Sequence, residues 1–400
     1  MTKRCRMKFL FVYMYSSIVF SQTAPAIGEI SSTDTTKAIQ IEAVENKKIE
    51  LPKTDFLKTA ELFGDLRYRS QSIKLGDNQA RPVQRLMFRG GHQIQVQDDL
   101  KLTYRLMTGT SNNSGNVTLG DAKTPSSPRQ TIGLDQAFAK YSPFKSTSFF
   151  IGKMPQFFYA AGKNQIILDR DISPEGFGLQ NKNTFYKDQT ELNLNIGSII
   201  IREKYDDTFA EDLTDSNLNI VQAQVAFKKD DFRLIVAYGI FSFTSIKDDK
   251  PSTYLVGATN SKGNTLDILG NYQWQYEIIQ NSIEFKWSSK PFEVAIFFED
   301  VRNSAADTKN KAQVSGLNLG YKKLSITYLN QKIESDAVFA LLTDSDFSDG
   351  QTNSEGSITT VSYKFNDNAA LSYSEYKNKQ AVDLVSNDYR RTHLDLTFAF

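Results

Sequence analysis

Apolar and polar side chains alternate with a period of two along most of the chain beyond residue 60. Because successive side chains of a β-strand point to opposite faces, such runs predict strands with one apolar and one polar face. In one run, Leu100, Leu102 and Tyr104 alternate with Lys101 and Thr103. Most runs are close to the roughly ten residues that a tilted strand needs to cross a bilayer. The pattern predicts sixteen strands, near 61–70, 84–97, 100–109, 131–141, 147–155, 175–182, 190–203, 216–228, 231–243, 275–287, 292–302, 311–321, 323–334, 355–366, 368–378 and 390–400.

The predicted connections alternate between short turns, such as Asp98-Asp99 and Lys229-Asp230, and long loops. This alternation is typical of one all-β fold, a transmembrane antiparallel β-barrel with short periplasmic turns and long extracellular loops. A soluble sandwich has no reason to keep such a rhythm. An added hairpin inside the fifth long loop would raise the count from sixteen strands to eighteen. The long loops are rich in Ser, Asn, Asp, Gly and Thr and are predicted at 71–83, 110–130, 156–174, 204–215, 244–274, 303–310, 335–354 and 379–389.

The last predicted strand runs to the final residue of the chain, and its apolar side chains share one face. Chain ends usually fray unless they pair into a sheet, and this ending resembles the assembly signal of bacterial outer-membrane barrels. We expect the barrel-assembly machinery of the outer membrane to recognise it. Its expected partner is the first strand, near Leu62 to Tyr68, because that pairing leaves no open edge. The residues of the apolar face are Leu394, Leu396, Phe398 and Phe400.

The amino terminus has the three parts of a secretory signal peptide. Residues 1–8 carry four basic and no acidic side chains, residues 9–20 are almost wholly apolar, and small residues follow. We expect cleavage after Ser21, with Ala26 as the alternative. The predicted domains are a signal peptide at 1–21, a short periplasmic N-terminal segment at 22–57 and an outer-membrane β-barrel at 58–400. The single cysteine, Cys5, lies in the removed segment, so the mature chain is expected to lack disulfides and thiolate metal sites.

Composition limits the classes of partner. The chain carries 47 Lys and Arg against 46 Asp and Glu, so it lacks the basic excess of a nucleic-acid-binding protein. Aromatic residues make up 12% of a chain whose mean hydropathy is −0.41. That combination suits aromatic girdles around a barrel with a polar interior. The sequence has no Gly-rich phosphate loop and no Cys/His metal motif, so no cofactor and no metal are expected.

Enzymatic activity is not expected. A serine hydrolase needs a base, usually histidine, beside its nucleophile, and the chain has only His92 and His393. The alternation places His92 toward lipid and His393 toward the lumen, and neither belongs to a Ser/Asp/Asn constellation. Asp344, Asp346 and Asp349 offer oxygen ligands for Ca²⁺ but lack the spacing of a Ca²⁺-binding loop. A solvated outer loop is the preferred interpretation of these three residues.

Three passages carry a resemblance to the bacterial putative porin family. Residues 64–69 (GDLRYR) resemble its first strand, and residues 168–177 (LDRDISPEGF) resemble the stretch that leaves its third long loop. Residues 334–340 (ESDAVFA), followed by DSDF at 344–347, are similar to its late outer loop before the fourteenth strand. The resemblance covers the whole predicted mature chain and implies a barrel, but no particular solute. The helical amino-terminal extension usual in the family is reduced here to residues 22–57.

Charged side chains on the polar faces of the first five strands suggest how the lumen is lined. A Lys or Arg facing lipid at the bilayer midplane would cost roughly 2–4 kcal/mol, so these side chains are expected to point inward. The third long loop carries Asp169 and Asp171, with Glu175 just beyond. If this loop folds into the lumen, its acids would face the basic wall and set a transverse field across a constriction. Simple solvation of lumen residues is the alternative. The basic residues are Arg67, Arg69, Arg85, Arg89, Lys101, Arg105 and Lys153.

The function expected from these features is passive diffusion of small hydrophilic solutes and ions across the outer membrane of a Gram-negative bacterium. Barrels of sixteen to eighteen strands leave an aqueous channel. The expected partners are outer-membrane lipid, the assembly machinery and the diffusing solutes, and a homotrimer is left open. A surface adhesin or receptor that acts through the long loops is the alternative.

Overall fold

The computed structural model describes residues 60–109, 114–120, 129–204, 214–254 and 260–400. The signal peptide at 1–21 and the periplasmic segment at 22–57 lie outside the described residues, so both stay predictions. No helix in the described part of the chain is long and apolar enough to cross a membrane. The compact unit that contains the sheet extends from Thr54 to Phe400.

Seventeen strands form one antiparallel sheet that closes on itself. The strands are β1 (Ala60–Leu75), β2 (Arg81–Gln97), β3 (Leu100–Thr108), β4 (Val117–Thr118), β5 (Ile132–Phe144), β6 (Thr147–Lys153), β7 (Glu175–Phe185), β8 (Thr190–Arg202), β9 (Ser216–Lys229), β10 (Phe232–Phe243), β11 (Glu277–Ser289), β12 (Phe292–Asn303), β13 (Lys311–Tyr321), β14 (Leu324–Ile333), β15 (Ser354–Lys364), β16 (Ala369–Gln380) and β17 (Asn387–Ala399). All except β4 pair with their neighbours in chain order, and β17 returns to β1. The predicted sixteen-stranded barrel is confirmed.

The one departure from sixteen strands is small. The short strand β4 pairs with β2 at Arg85 and Leu86, where it adds to the edge of the sheet beyond the end of β3. The eighteen-strand alternative is wrong for the described residues between β10 and β11. That connection contains one helical turn, α1 (Pro251–Tyr254), and an isolated bridge between Leu266 and Tyr272.

Connections at one end of the barrel are turns of two to four residues, and those at the other end are longer. We call these the turn end and the loop end. The turns lie at 98–99, 145–146, 186–189, 230–231, 290–291, 322–323 and 365–368. The loops, numbered 1 to 8, lie at 76–80, 109–131, 154–174, 203–215, 244–276, 304–310, 334–353 and 381–386.

Loop 1 is much shorter than the predicted 71–83, because β1 and β2 stay paired as far as Ile73 and Arg81. The outer face of this extension is polar. Tyr68 Oη donates a hydrogen bond to Gln84 Oε1 at 2.9 Å, and Gln84 Nε2 donates to Ser70 Oγ at 3.1 Å. A strand with polar side chains on both faces has no apolar alternation, so its sequence resembles that of a loop.

The outer face of the barrel is apolar. Val236, Tyr238 and Ile240 of β10 are each more than 40% exposed, whereas Ala237 and Phe241 on the inner face are buried. The same alternation continues around the sheet, and a continuous apolar surface of this kind is what a bilayer covers. The buried inner residues of β10 are also apolar, so this side of the lumen differs from the expected polar wall.

A hydrophobic core fills part of the lumen. Loops 3, 5 and 7 turn inward and pack against the inner faces of β6, β8 to β14 and β16. Phe339 of loop 7 lies at the centre, with its ring centroid 5.2–5.8 Å from those of Phe243, Tyr254, Tyr272 and Tyr276. Among the described residues, β7 contributes nothing to this core cluster, and neither do the adjacent strands β17, β1, β2 and β3 or the short β4. Phe157 of loop 3 covers β7 at Gly178, so the polar part of the lumen lies along β17, β1, β2 and β3.

Phe400 completes the seam between the last and first strands. Its backbone N–H donates to the Gly64 carbonyl, and its own carbonyl accepts from the Gly64 N–H, both at 3.0 Å. A Cβ at Gly64 would lie 2.6 Å from the Phe400 ring, so the glycine makes room for it. The ring also stacks with Phe88, with 6.3 Å between centroids. The expected antiparallel pairing of last and first strands is confirmed by the register, which places Leu396 opposite Tyr68.

Candidate functional site in the barrel lumen

Loop 3 enters the lumen directly after β6 and lies against the inner wall. Its Phe157 packs over Gly178 of β7, where a Cβ would lie 3.0 Å from the ring. The carbonyl of Phe157 accepts a hydrogen bond from Gln180 Nε2 at 2.6 Å. Because Gly178 leaves space for the ring and Gln180 holds the backbone, the start of loop 3 is fixed against β7.

The middle of loop 3 is hydrogen-bonded to polar side chains on the inner faces of β9, β11 and β12. Tyr159 donates its backbone N–H to Gln222 Oε1 at 2.8 Å and its hydroxyl to Glu284 Oε2 at 2.5 Å. The Ala161 N–H donates to Glu299 Oε2 at 3.0 Å. Burial raises the pKa of the Tyr159 hydroxyl, and the bond to Glu284 raises it further, so the hydroxyl remains a donor. These strand residues attach loop 3 along much of its length.

Loop 7 also folds into the lumen and joins loop 3 along one edge. The Asp169 N–H donates to the Leu342 carbonyl at 2.6 Å, and the Asp344 N–H donates to the Gln165 carbonyl at 3.1 Å. The Ser345 N–H donates to Asp169 Oδ2 at 2.9 Å. The two loops therefore form one layer across the lumen. Asp169 of loop 3 connects them, through its hydrogen bonds with Leu342 and Ser345 of loop 7.

Asp346 attaches the far side of loop 7 to the polar wall. Its carboxylate lies 3.1 Å from Arg391 Nη2 and 3.4 Å from Arg69 Nη1, and 3.8 Å from His393 Nδ1. Burial alone would raise the pKa of Asp346, but the positive charges of Arg391 and Arg69 outweigh it and lower the pKa below the usual range. Asp346 therefore stays ionised and holds loop 7 on β17 and β1.

Asp344 differs sharply from Asp346. Burial raises its pKa, and the nearby charges of Asp346 and Asp169 raise it further, so Asp344 takes up a proton more readily than an ordinary aspartate. The solvated-loop interpretation suits the exposed Asp349 but is wrong for the buried Asp344. In the described ranges, no group of three or more His, Cys, Asp or Glu side chains is arranged to hold a metal ion.

Four of the predicted basic residues are paired with acids on the neighbouring strand, and three of these pairs lie within the wall formed by β17, β1, β2, β3 and β5. Arg69 forms a bidentate pair with Asp395, with N–O distances of 2.7 and 2.8 Å. Arg89 Nη2 lies 2.8 Å from Asp65 Oδ2. Arg105 pairs with Asp135. The positive charges of Arg69, Arg89 and Arg105 are therefore largely neutralised by acids of the wall itself.

Arg67 and Arg85 have no such partner among the described residues. Arg67 Nη2 donates to the side-chain oxygen of Asn116 at 2.9 Å, but its Nε and the Nε of Arg85 are buried without an acceptor. Asp171 of loop 3 lies in the electrostatic field of Arg67 and Arg89. Burial raises the pKa of Asp171, and its neighbour Asp169 raises it further, while the two arginines partly oppose this. Asp171 is thus the loop 3 acid whose pKa responds to the arginines of the basic wall.

Lys153 and Glu175 lie at the ends of their strands, away from Arg67 and Arg85. They end β6 and begin β7, face each other in register and form an ion pair of 2.5 Å. Both line a cavity of about 510 Å³ between the strand ends and loops 3, 5 and 7, together with Asp169. Lys101 lies nearer the turn end, where its Nζ donates to Gln93 Oε1 at 3.4 Å.

Comparison with known proteins identifies the family. Residues 74–328 match the family model described as a putative porin, which is more than half of the chain. The chain belongs to the putative porin family. The search of curated proteins gives no match to this sequence.

Solved bacterial porins resemble this family member in fold. OmpF of Salmonella typhi, in complex with daunomycin, has a TM-score of 0.50 at 12% identity, covering 85% of this chain and 97% of that one. A mutant porin of Rhodopseudomonas blastica has a TM-score of 0.47 at 11% identity over 85% and 100% of the two chains. A loop-deletion mutant of OmpT from Vibrio cholerae has a TM-score of 0.46 at 11% identity over 86% and 100%. At these identities the likeness concerns the fold alone.

Loop 7 is the part of this porin's lumen that sequence reasoning missed. The prediction treated it as an outer loop, and so did not connect Asp346 with Arg69 and Arg391. The available signal was the run Ala337–Leu342, six residues without a charge inside a loop otherwise rich in Asp and Ser. Such a run needs burial, and the inner wall of the barrel supplies it.

Proposed function

We propose that the protein is a non-enzymatic outer-membrane porin through which small hydrophilic solutes and ions diffuse passively. The observation that carries this proposal is the uneven filling of a closed sixteen-stranded barrel. One side of the lumen holds the hydrophobic core, while β17, β1, β2 and β3 present charged and polar side chains without any share in it. A barrel of this size encloses more space than its wall side chains fill. The solute pathway therefore runs along these four strands.

The layer formed by loops 3 and 7 is the constriction of this pathway. Asp171 belongs to the loop layer, and the unpaired Arg67 belongs to the wall that it faces. Opposed charges on two sides of a narrow opening orient dipolar solutes and favour ions according to the balance of charge. Glu175 takes no part in this opposition, because it pairs with Lys153 at the rim.

In this proposal the turn end faces the periplasm and the loop end faces the cell exterior. A cleaved signal peptide brings the chain through the inner membrane, and the assembly machinery inserts it with the help of the apolar face of β17. The outward apolar side chains contact outer-membrane lipid. Neither orientation nor insertion needs any partner beyond lipid and that machinery.

Swelling of liposomes that contain the refolded protein tests the proposal. We expect liposomes in iso-osmotic solutions of small sugars to swell, at rates that fall as the sugar becomes larger. Liposomes without protein provide the control. If protein-containing liposomes do not swell in any small sugar, the pore proposal is wrong, and the barrel would act instead as a surface adhesin or receptor.

A further inference from the structure

We infer that the wall formed by β17, β1 and β2 contains a binding site for the carboxylate or phosphate group of a small oxyanion. The inference rests on the proposed pore, because it names the class of solute that the pathway selects. It is carried by a group of buried nitrogen donors on the inner face of these strands, for which the described residues provide no acceptor. The residues that supply them are Arg67, Gln71, Arg85 and Arg391.

The register brings these residues together. Arg67, Arg69 and Gln71 are alternate residues of β1 and so share its inner face. Arg85 lies directly opposite Arg69 on β2. Arg391 of β17 is joined to Gln71 by a hydrogen bond of 3.3 Å from Nη2 to Oε1.

The orientation of the donors is fixed by their other contacts. Because the amide oxygen of Gln71 accepts from Arg391, its Nε2 is turned away from that bond and has no acceptor. The Nη atoms of Arg391 donate to Gln71, to Asp346 and to the Ser345 carbonyl. Its Nε has no hydrogen-bond acceptor among the described residues. Likewise, Arg67 Nη2 donates to Asn116, whereas Arg67 Nε has no acceptor among the described residues. A buried donor without an acceptor costs free energy, and an oxyanion would satisfy several at once.

The charge of the group is also unbalanced. Its ion pairs join Arg69 to Asp395 and Asp346, and Arg391 to Asp346, and include neither Arg67 nor Arg85 among the described residues. Four guanidinium groups thus meet two carboxylates in this part of the wall. Asp171 approaches from loop 3, but burial raises its pKa and so weakens its competition with a solute anion. Guanidinium groups bind planar or tetrahedral oxyanions through charge-assisted hydrogen bonds, which are the strong ones.

Arg67 and Arg85 on the inner face are partly exposed, whereas Gln71 and Arg391 are almost fully buried. A solute anion would therefore meet Arg67 and Arg85 first. These two residues are also the best to change, because neither takes part in an ion pair that supports the fold.

Isothermal titration of the refolded full-length barrel in detergent tests the site. We expect saturable binding of inorganic phosphate, of acetate, or of both, and the two titrations distinguish a phosphate site from a carboxylate site. Arg67→Gln and Arg85→Gln should each weaken binding about tenfold, because each removes one charged hydrogen-bond donor. The matched control is Arg390→Gln, because Arg390 is the exposed neighbour of Arg391 on the outer face. Its affinity should equal that of the unchanged protein.

Failure of this inference differs from failure of the pore proposal. Absence of saturable binding of either anion to the unchanged protein overturns the site, even if liposomes swell. Equal affinity in the unchanged protein and in folded Arg67→Gln and Arg85→Gln variants also overturns it. Anion binding that both variants weaken, in a barrel that passes no solute, supports the site and contradicts the pore.

Discussion

Asp169 and Asp171 are two residues apart in loop 3 but have different environments. The Asp169 carboxylate accepts backbone N–H groups from Asp171 and Ser345, at 2.8 and 2.9 Å, and so connects the two loops. The charges of Arg67 and Arg89 lower the pKa of Asp171, against the larger opposing effect of burial. Of the two, we expect Asp171 to influence permeating ions and Asp169 to maintain the position of the loops.

Ion selectivity should depend on pH through Asp171. Because burial and Asp169 raise the pKa of Asp171, its negative charge should be lost above the pH of about 3.9 at which an ordinary aspartate titrates. Loss of that charge leaves Arg67 unopposed, so the reversal potential in a KCl gradient should move toward the chloride value as the pH falls. Asp171→Asn should show the shifted potential at neutral pH and lack this component of the pH response. Identical pH responses in the two proteins would contradict the assignment.

Asp135 illustrates which residues the sequence pattern could not place. The predicted strand 131–141 has no clean alternation, because Asp135 and Gln136 are both buried although they are adjacent. The cause is a register shift against β3, where Arg105 pairs with Gln136 and Leu106 with Leu134. A bulge of this kind turns two successive side chains toward one face. Period-two reasoning assigned Arg105 to the polar face of its strand but could not find its acid partner, Asp135.

Loops 3 and 7 are the elements that shape the lumen, and the sequence predicted them unequally. The place of loop 3 in the loop order and its acids suggested that it folds inward. Loop 7 gave no comparable signal, because its six uncharged residues have neither a strand nor a helix period. Its position depends on tertiary contacts, mainly Phe339 in the core and Asp346 on the polar wall. Contacts between residues far apart in the chain are not visible in local patterns.

Asp346→Asn should release the outer edge of loop 7. The change removes the attraction to Arg391 and Arg69, which we expect to cost about 2 kcal/mol of local stability. Limited chymotrypsin digestion of the refolded barrel should then cut after Phe347, which is buried in the unchanged protein. Asp349→Asn is the matched control, because Asp349 is exposed in the same loop and, among the described residues, forms an ion pair with Lys262 alone, at the surface. Equal resistance of Asp346→Asn and the control would contradict the role of Asp346.

Gly178→Val should push loop 3 off its wall. The added side chain would occupy the space of the Phe157 ring, which lies 3.0 Å from the position of a Cβ. Overpacking of this kind costs about 1–3 kcal/mol. Because loop 3 would move toward the polar strands, single-channel conductance should fall. Gly133→Val in β5 is the control, since nothing lies within 4 Å of a Cβ there. Unchanged conductance in folded Gly178→Val would show that loop 3 does not border the pathway.

At the scale of the whole molecule, the alternation of side chains was enough to predict the closed barrel. The strand count and the seam between β17 and β1 follow from it, because outward apolar faces and paired edges are both obligatory in lipid. The short loop 1 was not predictable, because the paired extensions of β1 and β2 have polar outer faces. The filled lumen was not predictable either, since apolar inner residues such as Phe241 alternate poorly with the apolar outer ones.

Deletion of Phe400 should impair insertion into the outer membrane. It removes two backbone hydrogen bonds to Gly64 and the ring that covers this glycine at the seam. We expect the variant to cross the inner membrane normally but to accumulate in the periplasm, as measured by fractionation and by heat-modifiable electrophoretic mobility. Phe232→Ala is the control, because Phe232 is a similarly exposed aromatic residue beside the turn between β9 and β10, away from the seam. Equal outer-membrane levels of the two variants would argue against a special role for the terminal residue.

In the proposed porin, a continuous aqueous pathway passes the layer of loops 3 and 7 along the polar wall. Conductance of the refolded protein in planar lipid bilayers tests it most directly. We predict stepwise openings in KCl, with a reversal potential that moves toward the cation side in Arg67→Gln and Arg85→Gln and is unchanged in Arg390→Gln. A correctly folded barrel that inserts and shows no openings would contradict the claim.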